Sequence, residues 1–341
     1  MSLQPDQDTD RSKLKKDWSS VRDIREDSPT FGTRILENKE HVWNHNAWDN
    51  VEWDEEQERC AREKVLKQSN KPMPLEEQQK YHQDASKYWN TFYLHNENKF
   101  FKDRQWLKIE FPELHNITES DVGPKRIFEI GCGAGNTMFP LLSVNQNPEL
   151  FIYACDFALN AVEVVKNNPA YNPQHSSVFV WDLTSTSIPE NIKPGSLDIV
   201  VLIFVMSAIH PQCWGQAVEN VYKMLKPGGL VLFRVNTNNE YEYYSNNEYE
   251  ALKPFCQQRY DMVQLRFKEG RMLSDNFYVR GDGTRVYFFT SDEIQTIWGT
   301  KFTLEQNAVD RRLIVNRHRR LQMYRIWLQG KFRKIEEPNP L

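Results

Sequence analysis

Polar residues dominate the first 75 positions, where the large apolar residues include three isolated tryptophans, Trp43, Trp48 and Trp53, and prolines recur at Pro29, Pro72 and Pro74. A stretch with so few apolar periods buries too little surface to fold alone. Tryptophan, however, carries a large apolar area that is seldom left in water. Residues 1–75 are therefore expected to form a partly disordered N-terminal extension whose tryptophans either anchor it on a domain surface or meet a substrate directly. From 75 to about 108 the apolar positions return at helical spacing, with an aromatic stripe that runs from Tyr81 through Tyr88, Trp89, Phe92 and Tyr93 to Phe100 and Phe101.

Beyond Gly123-Pro124 the pattern changes to short apolar runs separated by amphipathic segments. Residues 126–130, 151–156, 177–181, 197–205 and 230–234 read as strands. Helices are expected up to 142, over 158–166 and over 217–225. The run 197–205 is almost wholly apolar, as a strand covered on both faces should be. Strands alternating with helices predict a mostly parallel, doubly wound α/β sheet. Later, Gly281-Asp-Gly283 between two apolar-aromatic runs predicts a hairpin over 276–290. Residues 321–332 read as a last, basic, antiparallel strand. The folded domain is thus expected over 76–334, with a C-terminal tail at 335–341.

Composition narrows this picture. Of the 341 residues 39% are hydrophobic and 26% charged, which excludes global disorder. The longest apolar run, 199–206, falls far short of the ~18–20 residues that span a bilayer, so no membrane partner is expected. The first ten residues are acidic and polar, unlike a signal or transit peptide, and a cytoplasmic or nuclear address follows. Five scattered cysteines, Cys60, Cys132, Cys155, Cys213 and Cys256, fit reduced thiols. Eight histidines without metal-ligand spacing predict no metal site. The net charge of −4 conceals an asymmetry: residues 1–60 hold 15 acidic and 9 basic side chains, whereas residues 311–341 hold 2 and 9. A basic end on a near-neutral chain points to a localised site for an anionic partner.

The chemistry-bearing pattern starts at Glu129-Ile-Gly131-Cys-Gly133-Ala-Gly135, where a strand enters a glycine-rich turn that opens a helix. Glycines there let a ligand approach the backbone, as around a nucleotide. The spacing differs from the Gly-x-Gly-x-x-Gly of nicotinamide dinucleotide sites. Asp156 closes the second strand, where a carboxylate can accept both hydroxyls of a ribose, although it could equally cap the following helix. Asp182 and Leu183 close the third strand, one suited to an exocyclic adenine amine and the other to the ring beside it. Ile203 and Phe204 end the fourth. All are carboxyl ends of parallel strands, the edge at which open sheets bind ligands.

This ordered set resembles the class I S-adenosylmethionine-dependent methyltransferases, with their Rossmann-like fold. Longer strings narrow the resemblance. Phe31-Gly-Thr-Arg34, His45-Asn-Ala-Trp-Asp-Asn-Val-Glu-Trp53, Trp89-Asn-Thr-Phe-Tyr93, Asn98-Lys-Phe-Phe-Lys-Asp-Arg104, Ser207-Ala-Ile-His-Pro211, Asn276-Phe-Tyr-Val-Arg280 and Met323-Tyr-Arg-Ile-Trp-Leu328 look like those of the tRNA 3-methylcytidine methyltransferases. Within them the chain is similar to the branch associated with cytosine 32 of threonine and arginine tRNAs. The resemblance implies S-adenosyl-L-methionine as cofactor, with Trp89, Tyr93, Gly131, Gly133, Asp156, Asp182, Leu183 and Ile203 around it. It also implies the anticodon stem-loop of a tRNA as partner and, in some relatives, a helper protein. Trp89 and Tyr93, four residues apart on a helix, could close over the donor or simply be core aromatics.

Two basic patches are expected to meet RNA phosphates: Lys99, Lys102 and Arg104 beside Phe100 and Phe101, and the terminal group Arg317, Arg319, Arg320, Arg325 and Lys331 among Tyr324, Trp327 and Phe332. No catalytic acid or base is singled out, because the cytosine N3 lone pair needs no deprotonation. One segment departs from the family. Relatives run from the fifth strand through Phe-Arg-Asp-Tyr-Gly, whereas here Phe233-Arg234 leads into residues 235–258, rich in Asn, Tyr and Glu, before Arg259-Tyr260-Asp261 resumes the register. This atypical insertion, read as an isoform-specific or retained-intron segment, sets a catalytically weakened RNA- or partner-binding variant beside the active enzyme.

Overall fold

The computed structural model describes residues 32–239, 259–261 and 263–335. A short 3-10 turn, Lys39–Asn44, precedes β1 (Ala47–Asp49) and α1 (Glu55–Ser69). The aromatic stripe forms two helices, α2 (Leu75–Gln83) and α3 (Ala85–Asn96), rather than one long helix. Asp84 at φ −100° and ψ 18° makes the first break, and Glu97 at φ 49° ends α3. Next come α4 (Leu107–Glu110), α5 (Pro112–Asn116), β2 (Lys125–Ile130), α6 (Met138–Val144), β3 (Leu150–Asp156), α7 (Leu159–Lys166), β4 (Ser176–Val180) and β5 (Leu197–Ile203). The chain continues through α8 (Trp214–Met224), β6 (Leu225–Asn236), β7 (Asn238–Asn239), β8 (Arg259–Tyr260), β9 (Met272–Ser274), β10 (Phe277–Val279) and β11 (Arg285–Tyr287). It closes with α9 (Ser291–Gly299) and the long strands β12 (Phe302–Asn316) and β13 (Leu321–Lys334).

Eight strands form one sheet in the order β1-β12-β13-β6-β5-β2-β3-β4. The five from β6 to β4 are parallel, and β13, β12 and β1 add antiparallel to one edge. Alternation along the parallel strands feeds two cores. Ile127, Ile152, Val178, Ile199 and Leu232 face α4 to α7, whereas Phe128, Val200, Leu202, Val231 and Phe233 face α8, α9 and the β10–β11 hairpin. Strand order reverses between β2 and β5, so a crevice opens beyond their carboxyl ends.

The expected hairpin is present, with Phe277 opposite Tyr287 and Val279 opposite Arg285. Composition did not reveal β12. It pairs along its whole length with β13, and the two overshoot the sheet, because β13 meets β6 only from Arg333 to Trp327. This overhang carries β1, with Trp48 opposite Leu313. The N-terminal tryptophans are seated there: the indole of Trp48 donates to the Val42 carbonyl at 2.8 Å, and Trp53 packs edge-on against Tyr324 at 5.3 Å. Of the segment 235–258, Val235 and Asn236 extend β6 in register with Leu328 and Trp327. Residues 240–258 lie outside the described residues.

Candidate active site

The turn after β2 is built by backbone conformations that side chains oppose. Gly131 has φ 67°, and a Cβ there would lie 2.5 Å from a Val205 methyl. Gly133 has φ 54°, and its Cβ would lie 2.4 Å from the Tyr93 hydroxyl. Such approaches require glycine. The amide of Cys132 donates to the Cys155 carbonyl, tying the turn to the end of β3. Asp156 then accepts from the Gly133 amide at 3.1 Å on one oxygen and from Ala158 at 2.9 Å on the other. It thus ties the residue before α7 to the glycine turn, although the N-cap of α7 is Ala158 and receives no side-chain cap. Each oxygen keeps a further lone pair for a ligand hydroxyl.

Beneath the turn, Glu129 accepts from the Met138 amide and pairs with Arg104, whose Nη1 also donates to Thr137 Oγ1 at 2.6 Å. Burial pushes the Glu129 carboxyl up to about 7, moderated by Arg104. Burial likewise raises Asp156 to about 6 and lifts the Tyr93 phenol well above its ordinary value, with the Asp156 charge adding to the effect. These groups share a water-poor environment in which electrostatic contacts are strong.

The turn opens into a cavity of about 760 Å³. All eight residues expected around a cofactor line it: Gly131 and Gly133 on the turn, Asp156, Asp182, Leu183 and Ile203 at or just beyond the strand ends, and Trp89 and Tyr93 on α3. Both Thr184 donors fall on Oδ1 of Asp182. Phe204, in the left-handed region at φ 62°, is held by its amide donating to the Arg234 carbonyl. A strained non-glycine residue at the edge of a cavity is typical of working sites. The rings of Trp89 and Tyr93 lie 6.2 Å apart, and Phe92 joins them to Phe100.

The far wall of the cavity joins Arg325, which the sequence singled out for RNA, to residues that the sequence reading missed. It combines Arg280 and Arg285 from the hairpin with His82, His210, Arg325 and Trp327. Arg325 pairs with Asp261 at 2.9 Å and donates to Asn236 at 3.2 Å. Burial lowers both Arg280 and Arg285 to about 10, so both stay charged at neutral pH. Two arginines at the ends of apolar hairpin strands were the available clue, since arginine is rarely buried without a reason.

The two basic patches divide. Arg317, Arg319 and Arg320 are exposed at the tip of the β12–β13 overhang, with Arg320 over the Trp43 ring at 4.8 Å. Lys99 and Lys102 are exposed near the cavity mouth, Lys99 on Glu97. Arg104 and Lys331, expected on RNA, turn inward instead. Arg104 is spent on Glu129 and Thr137, and Lys331 on Glu113 at 2.5 Å. A buried cation is stable only with such a partner, which sequence position does not disclose.

Comparison with known proteins places this geometry. A methyltransferase-domain family model matches residues 128–231. The tRNA(Thr) (cytosine(32)-N(3))-methyltransferase of Saccharomyces cerevisiae is 46% identical over 327 residues, 95% of this chain and 49% of that protein. The chain therefore spans about half the length of that relative. The tRNA N(3)-methylcytidine methyltransferase trm140 of Schizosaccharomyces pombe is 45% identical, covering 94% of this chain and 97% of that protein. For the Danio rerio tRNA N(3)-cytidine methyltransferase METTL2 the identity is 44%, with 91% and 90% covered. With the glycine turn, the strand-end carboxylates and these relatives in agreement, the chain belongs to the tRNA N(3)-methylcytidine methyltransferases.

Proposed function

We propose that this chain transfers a methyl group from S-adenosyl-L-methionine to N3 of cytosine 32 in the anticodon loop of threonine tRNAs, with arginine tRNAs as a second class. The observation that carries this reading is a single cavity joining two ends of different character. One end has the glycine turn and Asp156, the other has three arginines, and Asp182 is near enough to act on the Arg285 charge. The first end fits the donor. Gly133 leaves its backbone open, Asp156 has accepting capacity for vicinal hydroxyls, and Trp89 and Tyr93 offer π faces to a positive centre. When bound, the donor supplies an electrophilic methyl on a cationic sulfur.

The protein's own part is positioning. Cytosine N3 bears an in-plane lone pair at neutral pH, so no side chain must remove a proton. The chain must hold a base taken out of its stack, align N3 with the methyl and keep water away, for which the aromatic cluster of Trp89, Phe92, Phe100 and Phe101 is suited. The exposed arginines of the overhang are placed to grip the stem through its phosphates. A helper protein that selects the tRNA is a further part of the proposal.

The test is direct. Purified protein is incubated with S-adenosylmethionine and threonine tRNA lacking the modification, and 3-methylcytidine is measured by mass spectrometry. Product at position 32, absent when that cytosine is replaced by uracil, is the expected result. No product, alone or with cell extract supplying a helper, overturns the reading.

A further inference from the structure

Arg285 is buried, with 7% of its surface exposed, and forms part of the cavity wall. Its guanidinium is fixed on three sides. Nη1 donates to Nδ1 of His82 at 3.2 Å, Nη2 donates to the Ala208 carbonyl at 3.0 Å, and the Phe277 ring lies 5.6 Å from its carbon. None of these partners is anionic, and no carboxylate among the described residues forms an ion pair with it, although the Asp182 charge acts on it without contact. Nε is buried and has no hydrogen-bond partner. A guanidinium taken out of water without a contacting counterion and with an unmade bond is costly. Evolution usually retains such a group where a ligand completes it.

His82 belongs to the same device. Because Nδ1 accepts from Arg285, the ring is neutral, with its proton on Nε2. Burial, with His210 and Arg285 nearby, lowers its pKa to about 4, so it remains neutral across the working range. The His210 ring packs edge-on at 4.6 Å and supports it. The charge of Arg285 is therefore neither paired nor diluted by a second titrating cation at the same point.

We propose that Arg285, positioned by His82, receives a phosphodiester oxygen of the target nucleotide once that nucleotide has entered the cavity. A phosphodiester supplies the missing charge and an acceptor for Nε together, in the forked geometry that arginine favours. The proposal rests on the RNA reading above and deepens it. Arg285 grips the backbone of the displaced nucleotide, while the overhang holds the rest of the RNA.

The test pairs protein and RNA changes, read as affinity for an anticodon stem-loop by fluorescence anisotropy. Arg285→Gln should weaken binding at least tenfold and flatten the log–log salt slope by about 0.7 to 0.9, the contribution of one phosphate. A stem-loop with a neutral methylphosphonate on the 5′ side of the target cytosine should cost the wild type a similar factor and cost the variant nothing more. Arg285→Lys, which keeps the charge without the fork, should fall between the two. S-adenosylhomocysteine affinity must stay at the wild-type value in each variant, which also shows that the fold survives. Additive losses, or no loss for wild type at any methylphosphonate flanking the cytosine, overturn the proposal. A fall in S-adenosylhomocysteine affinity with RNA binding intact overturns it too, because the guanidinium would then serve the donor's carboxylate. Methylation of the unmodified stem-loop by wild type is scored separately, so failure of the activity and failure of this contact are distinguishable.

Discussion

The hydroxyl of Tyr93 stands 2.4 Å from where a Cβ on Gly133 would be. Helix α3 is thus pressed onto the glycine turn so closely that one hydrogen marks the limit of the site. Gly133→Ala would have to displace a buried tyrosine and also hold alanine at φ 54°, a strain of roughly 1–2 kcal/mol by itself. We expect S-adenosylhomocysteine affinity by calorimetry to fall at least tenfold. Adding Tyr93→Phe removes the nearest atom and should restore part of the loss, which a general folding defect would not allow.

Asp156 sets a pH dependence with opposite signs for binding and stability. Its carboxyl is raised to about 6 by burial, above the ~3.9 of an unfolded aspartate. The stabilisation that goes with protonation is fully present below the unfolded value and is lost as pH rises through about 6. Without ligand, wild type should therefore lose stability relative to Asp156→Asn between pH 4 and 7. Binding of a ribose to the ionised carboxylate should instead strengthen through pH 6 and be flat in the variant. Thermal melts and S-adenosylhomocysteine titrations across that range check both.

Arg234 is buried between the rings of Trp106 and Trp327, at 4.8 and 5.0 Å, and is paired with the fully buried Asp310. Asp310→Ala leaves that charge without its counterion, and a loss of about 3–5 kcal/mol by denaturant unfolding is expected. Because Arg234 also supplies the carbonyl that holds Phe204, methyl transfer should fall further than cofactor binding.

The arginines of the overhang and the inward cations should separate experimentally. Arg317→Ala and Arg319→Ala should each reduce the log–log salt slope of tRNA binding by about 0.7 to 0.9 without changing the melting temperature. Lys331→Ala and Arg104→Ala should lower the melting temperature and leave the slope unchanged.

The parallel sheet was legible because strands buried on both faces must be apolar runs, as 199–203 is, and the turn was legible because its glycines are spaced by backbone need. Helix α1 was not. Its buried positions are Glu58, Ala61 and Gln68, and it is secured by a Gln68 amide bonded to the carbonyls of Gln264 and Phe267 rather than by an apolar stripe. Strand β12 was hidden because Asp310 and Arg312 occupy inward or half-buried positions and satisfy one another. The basic end misled for a related reason. Lys331 and Arg333 find carboxylates in distant segments, on Glu113 and Glu305. Arg285 and His82, 203 residues apart, meet only through the fold.

The seat of β1 on β12 bears on how the molecule is made. Trp48 leaves the ribosome 265 residues before its strand partner, Leu313. Domains tend to fold as they emerge, but here the sheet's outer edge cannot close until β12 has been made. Trp48 and Trp53 therefore wait for their partners while some 265 further residues are made, a window in which a chaperone has reason to hold them and in which premature termination leaves a sticky fragment.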